Sequence, residues 1–332
     1  ASLFTLSNPS HAQLGIPNLW GSNQYGQLGD GTNNNTSNPL ALTGVGKVIQ
    51  ISTGLSHTLA LKIDGTVWAW GRNQQGQLGT GNNTDSNTPV QITTLSKIVQ
   101  VAAGDGHSLA LAQDGSVWAW GQNDYGQLGI GNTIGKNVPT KVSNLAKVVQ
   151  ITAGQIHSIA LKVDGTVWGW GGNRIYQLGV GDPSNHTAPT RISTFTNIIQ
   201  VTAGQAHTLA LTTDGSVWAW GANNQGQIGD GSNDAFKTSP RLIKGISDVL
   251  HLAAGKFHSL AQKLDGTVWA WGSTGSKTPL QVAGLEKILQ VAGGGTHSLA
   301  LNADGDVWAW GGNDAGQLGD GTTTDHSNPT IV

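Results

Sequence analysis

An all-β, seven-bladed β-propeller of four-stranded antiparallel blades is the fold this chain predicts, and three observations predict it. Trp-Gly recurs at Trp20, Trp70, Trp120, Trp170, Trp220, Trp271 and Trp310, at intervals of 50, 50, 50, 50, 51 and 39 residues. Each regular unit holds four short apolar segments separated by turn residues. The composition, 49 Gly and 13 Trp in 332 residues with only 11% charged, is that of a turn-rich β protein with a dry core. A fixed period of this size marks a repeat architecture, and four-stranded units repeated radially close into a propeller. An array that closes on itself is one domain, expected to span 1–332, with units at about 20–46, 47–96, 97–146, 147–196, 197–247, 248–286 and 287–332.

The first unit is the poorest copy. Gly15 falls where Gly65 and Gly115 fall later, but Pro17 and Asn18 replace Val67 and Trp68, and a Pro there suits an edge strand at best. Residues 1–19 are expected to be a degenerate part of blade 1, or a part completed by another segment. From Lys47 the pattern is regular. Runs such as Val48 to Thr53 and Ile98 to Ala103, β-branched and ending at a Gly, read as buried inner strands. A second strand opens on His57, His107, His157, His207, His258 or His297. Asp-Gly pairs at Asp64, Asp114, Asp164, Asp214, Asp265 and Asp304 then signal a hairpin, because Gly accepts the positive φ that a tight turn demands.

The third strand is Val67-Trp-Ala-Trp-Gly71 and its copies, with Trp68 and Trp70 on one face and Val67, Ala69 and Gly71 on the other. Laying each bulky face on a neighbour's shallow one fills the gap at interior density, which is a reason for face-to-face packing in a ring. The fourth strand is expected to open at Pro39, Pro89, Pro139, Pro189, Pro240, Pro279 and Pro329, where an outer edge loses no ladder bond.

Gly104-Asp-Gly-His-Ser-Leu-Ala-Leu111, Asp114-Gly and Trp120-Gly-Gln-Asn-Asp-Tyr-Gly-Gln-Leu-Gly129, with their copies, resemble the regulator of chromosome condensation repeat family over roughly residues 20–332. The resemblance implies seven blades. For function it implies several things at once, since propellers of this family serve as exchange factors for a small GTPase, inhibitors of β-lactamases, light sensors and interaction modules. The light sensor has Trp and Arg between the Gly and His that start the second strand. Here those positions hold Leu55-Ser56, Asp105-Gly106, Gln155-Ile156, Gln205-Ala206, Lys256-Phe257 and Gly295-Thr296, so that role is not expected.

Repetition also governs the chemistry. Catalysis needs unlike groups converging once, whereas six equivalent His and six Asp-Gly pairs read as structural, the His bonding nearby backbone and the Asp forming turns. Gly26-Gln-Leu-Gly-Asp-Gly31 lacks the Lys and helix of a phosphate loop, and the Asp30 and Asp320 loops lack the spacing of a calcium hand. No cofactor or metal is expected, and the chain is not expected to be an enzyme. A net charge of −2 without a Lys/Arg cluster argues against nucleic acid, and no apolar run is long enough for a membrane helix. Zero Cys leaves the redox compartment open. Zero Met suggests a processed chain, for which a cleaved secretory signal is one route, and this tilts the expectation toward a secreted or extracytoplasmic location. Asn34-Asn-Thr36, Asn82-Asn-Thr84 and Asn185-His-Thr187 match the glycosylation sequon as chance matches expected in loops rich in Asn and Thr.

Function is therefore sought where the copies disagree. In an antiparallel blade the loops between strands one and two and between strands three and four share a face, which here carries Tyr25, Arg72, Asp124, Tyr125, Arg174, Tyr176, Lys256 and Phe257. Aromatic and Arg side chains in loops on a rigid scaffold are the anchor types of protein interfaces. The long fifth interval places Phe236 in a polar loop, and the short sixth, with Gly272-Ser-Thr-Gly-Ser-Lys277, leaves a notch beside it. The expected function is a monomeric, non-catalytic scaffold that binds another protein through this face, chiefly at blades 5 and 6. The alternatives are an exchange factor for a small GTPase, although no interval leaves room for an inserted acidic wedge, and, further off, an enzyme or a glycan-binding module.

Overall fold

The computed structural model describes residues 16–192 and 195–332; Gly15 and the residues before it, expected to belong to blade 1, lie outside the described residues. Six four-stranded antiparallel sheets and one two-stranded sheet follow one another in chain order, and no helix occurs among the described residues. The full blades, 2 to 7, begin at Val48, Ile98, Val148, Ile198, Val249 and Ile288 and end at Gln91, Lys141, Ile192, Leu242, Gln281 and Ile331. Blade 1 contributes Asn18–Gly21 and Thr36–Ala41, the third- and fourth-strand positions of a blade. The ring is a seven-bladed propeller with the innermost strands lining a central channel of about 1090 Å³.

Within blades the turn chemistry acts as its residues dictate. Asp64 Oδ1 accepts from the backbone N and hydroxyl of Thr66, and Gly65 takes φ 77°. The same Asp-Gly arrangement recurs at Asp114, Asp164 and Asp265. The outer strands correct one expectation. Ser86–Gln91 begins before Pro89, so the proline lies inside the strand and does not open it. An outer edge needs no N–H there, and the register shift between Ala69 and Gly71, where Gly71 has φ 100°, sends the chain into this strand early.

The core lies between blades. Trp70 is fully buried and Trp68 partly so, both packing on Leu19, Leu28 and Leu42 of blade 1, while Val67 and Ala69 on the reverse face receive Trp120 of blade 3. Truncating a Trp so placed costs about 3–5 kcal/mol.

Three polar fastenings cross these seams. First, the indole N–H of Trp70 donates to the Gln27 carbonyl at 2.9 Å, and Trp120, Trp170, Trp220 and Trp271 reach Gln77, Gln127, Gln177 and Gln227 in the same way. Trp20 closes the ring on Gln317 of blade 7 at 2.9 Å. Second, the hydroxyl of Ser108 donates to the Gln77 carbonyl, so it can only accept from His57 Nε2, 2.9 Å away. The same relay joins His107 to Ser158, His157 to Thr208 and His207 to Ser259. Third, the Gln50 side chain donates to the Val101 carbonyl at 3.1 Å and accepts from the Val101 N–H at 2.9 Å, and Gln100, Gln150 and Gln200 grip the next blade alike. This satisfies backbone groups on the inner edge strand, which has no sheet partner on that side. His251 replaces Gln at blade 6 and makes no such grip among the described residues.

Candidate functional site: the variable loop face

Each long loop is built by one side chain. Asn73 accepts the Leu78 N–H on Oδ1 and donates from Nδ2 to the carbonyls of Asn82 and Thr84; Asn123 and Asn313 act alike, and Asn23 accepts the Leu28 N–H and donates to the Thr32 carbonyl. The loops are thereby held rigid while their outward positions stay free to vary. Between strands one and two the chain turns at Gly54, Gly104, Gly154, Gly204, Gly255 and Gly294. A Cβ on Gly104 would overlap both the His107 ring and the Gly154 carbonyl of the next blade. Only Gly permits that approach.

Both loop sets meet at one end of the channel, where a cup of about 510 Å³ is lined by Leu55, Asp105, Gln155, Gln205 and Lys256 together with Ser22, Gln24 and Asp314. The shared face expected from the antiparallel blade is therefore present. Burial pushes the Asp105 carboxyl above its ordinary range, with the amide of Gln155 and the distant charge of Lys256 opposing the rise.

The residues singled out from the sequence fall into separate groups. Arg72 lies over the Tyr25 ring at 4.9 Å across the seam of blades 1 and 2, and its Nη2 donates to Gln74. Tyr176 stacks on Phe236 at 4.8 Å, joining blade 4 to blade 5. Phe236 is 39% exposed, and Lys237 beside it anchors the segment by ion pairs to Asp230 at 2.7 Å and Asp234 at 2.6 Å. Burial would lower the Lys237 ammonium, but those carboxylates outweigh it and hold it above its ordinary value. Lys256 lies 5.2 Å over Phe257, which is 37% exposed. Asp124 and Arg174 are exposed and Tyr125 half-buried, with Asp124 accepting from the Gln122 amide.

Sequence reading missed Asp105, Gln155 and Gln205 as a group, because they converge only across the channel. It also missed the Asn of each Trp-Gly-x-Asn, whose recurrence was the available signal. The recurring His are buried and neutral, pushed by burial from 6.5 to about 4 at His57 and about 3 at His107 and His157. Among the described residues no three His, Asp or Glu are placed to hold a metal. The arrangement is suited to recognition, with rigid loops presenting aromatic and charged side chains around a polar cup.

A ring of blades latched by Trp-to-carbonyl and His-to-hydroxyl bonds defines a repeat propeller with a variable face. Residues 17–278 match the model of the RCC1-like domain, and residues 288–317 and 304–332 match regulator of chromosome condensation (RCC1) repeats. The chain belongs to the RCC1 family. Among solved structures it is similar to yeast RCC1 (Prp20) bound to Kap60, with 27% identity, TM-score 0.86, and coverage of 97% of this chain and 85% of that one. Human WBSCR16 gives 25% identity and TM-score 0.85 over 95% of this chain and 94% of that one. Prp20p from Saccharomyces cerevisiae, described with its binding properties to Gsp1p and histones, gives 26% identity and TM-score 0.84 over 99% and 90%. A search of curated protein sequences found no significant match.

Proposed function

We propose that the chain is a non-catalytic recognition propeller that binds another protein through its loop face, with the contact centred on blades 4 to 6. The observation that carries this is the pair of half-exposed phenylalanines: Phe236, which opens an outer strand and does not sit in the loop the sequence suggested, stacks on Tyr176 beside the Lys237 ion pairs, and Phe257 lies under Lys256 in the turn before His258. Rigid aromatic anchors beside charged groups are what interface hot spots consist of. Tyr25, Arg72, Asp124, Tyr125 and Arg174 extend the same face. The likeness to a yeast protein described as bound to Kap60, and as binding Gsp1p and histones, supports a protein partner.

The test is capture from the native host followed by mass spectrometry, with Phe236→Ala/Phe257→Ala as control. Specific capture should weaken at least about tenfold in the double variant, as loss of one to two hot spots implies. Capture that is unchanged would remove the reading. A second reading, exchange factor for a small GTPase, draws on the 26% identity to the Gsp1p-binding yeast protein. Acceleration of nucleotide release from a small GTPase of the same host would favour it.

A further inference from the structure

At every seam but one among the described residues, the long loop of one blade is seated on the next. Gln27 offers one carbonyl to two donors, Trp70 Nε1 and Thr58 Oγ1 at 2.9 and 2.7 Å. Leu28 is buried beside them, and the Gly31 N–H, four residues after that carbonyl, donates to the Asn87 carbonyl at 2.9 Å. The same set of bonds recurs at the seams of blades 2/3, 3/4, 4/5 and 5/6.

The seam of blades 6 and 7 is the exception. Blade 6 joins its last two strands by a short turn in which the Gly275 N–H bonds the Gly272 carbonyl, so no loop reaches blade 7. The receiving groups are nonetheless kept. Ser298 Oγ lies 3.0 Å from His258 Nε2, as its counterparts lie from theirs, but no carbonyl of the described residues accepts from the Ser298 hydroxyl or from Trp310 Nε1. The Ser327 carbonyl, equivalent to that of Asn87, receives no N–H from blade 6. The apolar cluster at this seam contains Trp310, Ala270 and Leu260 but no loop leucine, whereas Leu28, Leu78, Leu128, Leu178 and Ile228 fill that place elsewhere.

We propose that this gap is a docking seat for a Gln-Leu-Gly-type turn carried by a partner protein. Its chemistry is read from the filled copies: one carbonyl for Trp310 and Ser298, a Leu or Ile side chain in the next position, a Gly after it, and an N–H four residues beyond the carbonyl for Ser327. The seat lies at the loop-face end of the seam between blades 6 and 7, and Lys256 and Phe257 belong to blade 6, so it borders the proposed recognition surface. This deepens the protein-binding reading and rests on it.

The experiment titrates the folded, ¹⁵N-labelled protein with an end-blocked peptide of the sequence Tyr-Gly-Gln-Leu-Gly-Asp-Gly, taken from residues 25–31. The Trp310 indole N–H resonance should shift saturably while the other indole signals stay in place. Exchanging the peptide Leu for Ala should weaken binding at least about tenfold, the loss expected for a buried leucine. Trp310→Phe should weaken it similarly, and grafting the blade 5 loop onto blade 6 should abolish it. Absence of a saturable shift, or a shift indifferent to the Leu exchange, overturns the proposal even where the graft fails to fold. Concentration-dependent dimerisation that the peptide competes away would assign the seat to a second copy and overturn the partner assignment. The Phe236→Ala/Phe257→Ala capture experiment reads the broader protein-binding function at residues outside the seat, so the two can fail separately.

Discussion

His57, His107, His157 and His207 each give the Nε2 hydrogen to a hydroxyl of the next blade, and all six recurring histidines stay neutral because burial disfavours the charged ring. In the unfolded chain the same imidazoles take up protons near 6.5, whereas the folded ones resist until about 4 at His57 and His258 and about 3 at His107, His157, His207 and His297. Their contribution to stability is therefore whole above pH 6.5 and is lost progressively as pH falls from there through about 4 to about 3. The slope of unfolding free energy against pH in that window should shrink by about 1.4 kcal/mol per pH unit in His107→Gln, measured by urea denaturation at several pH values. Gly104→Ala, adjacent to the same ring, should cost about 1–3 kcal/mol by overpacking, read as a lower urea midpoint. That these histidines are structural was legible in the sequence because they repeat, but the expected bond to nearby backbone was not: Nε2 meets a hydroxyl of the next blade, and Nδ1 of His57, His107, His157 and His207 has no partner among the described residues. Gln50 was not, since an alternating pattern assumes one residue per step. The register shift between Val48 and Gln50 breaks that alternation, and the Gln50 amide reaches the next blade.

At the scale of elements, the Gln grip shows how a propeller protects its inner edges. Each innermost strand of blades 3 to 6 is paired on one side only, and a side-chain amide from the preceding blade supplies the missing partner for one residue. His251 leaves Val291 of blade 7 without that amide. His251→Gln should restore it and stabilise the fold by about 1 kcal/mol, the usual net value of a buried hydrogen bond, visible as a raised melting temperature. The strands, hairpins and Trp faces were all readable from period and turn residues. The start of the outer strands was not, because Pro89 and its copies look like boundaries and an edge strand tolerates proline within it. The loop face could be assigned from antiparallel connectivity alone. What it brings together, Tyr176 on Phe236 and Arg72 on Tyr25, could not, because each pair spans two blades and depends on how far the blades are rotated about the axis.

For the whole molecule, the fastenings are unevenly distributed. The seam of blades 6 and 7 keeps the His258 to Ser298 bond but lacks the seated loop and, among the described residues, the amide grip. Local opening should begin where the fewest such bonds must break. Hydrogen exchange by mass spectrometry should accordingly find the blade 7 strands Ile288–Gly293 and Val307–Gly311 exchanging earlier than their equivalents in blades 3 to 5.

The seam on the other side of blade 7 has a temporal consequence. Trp20 is covered by a carbonyl 297 positions later in the chain. During synthesis the first blade must therefore wait, its indole unpaired, until Gln317 of blade 7 has emerged. The intermediate blades can settle one upon another meanwhile, but the circle itself is joined last, and that slow, long-range step is where a chaperone would have most to do.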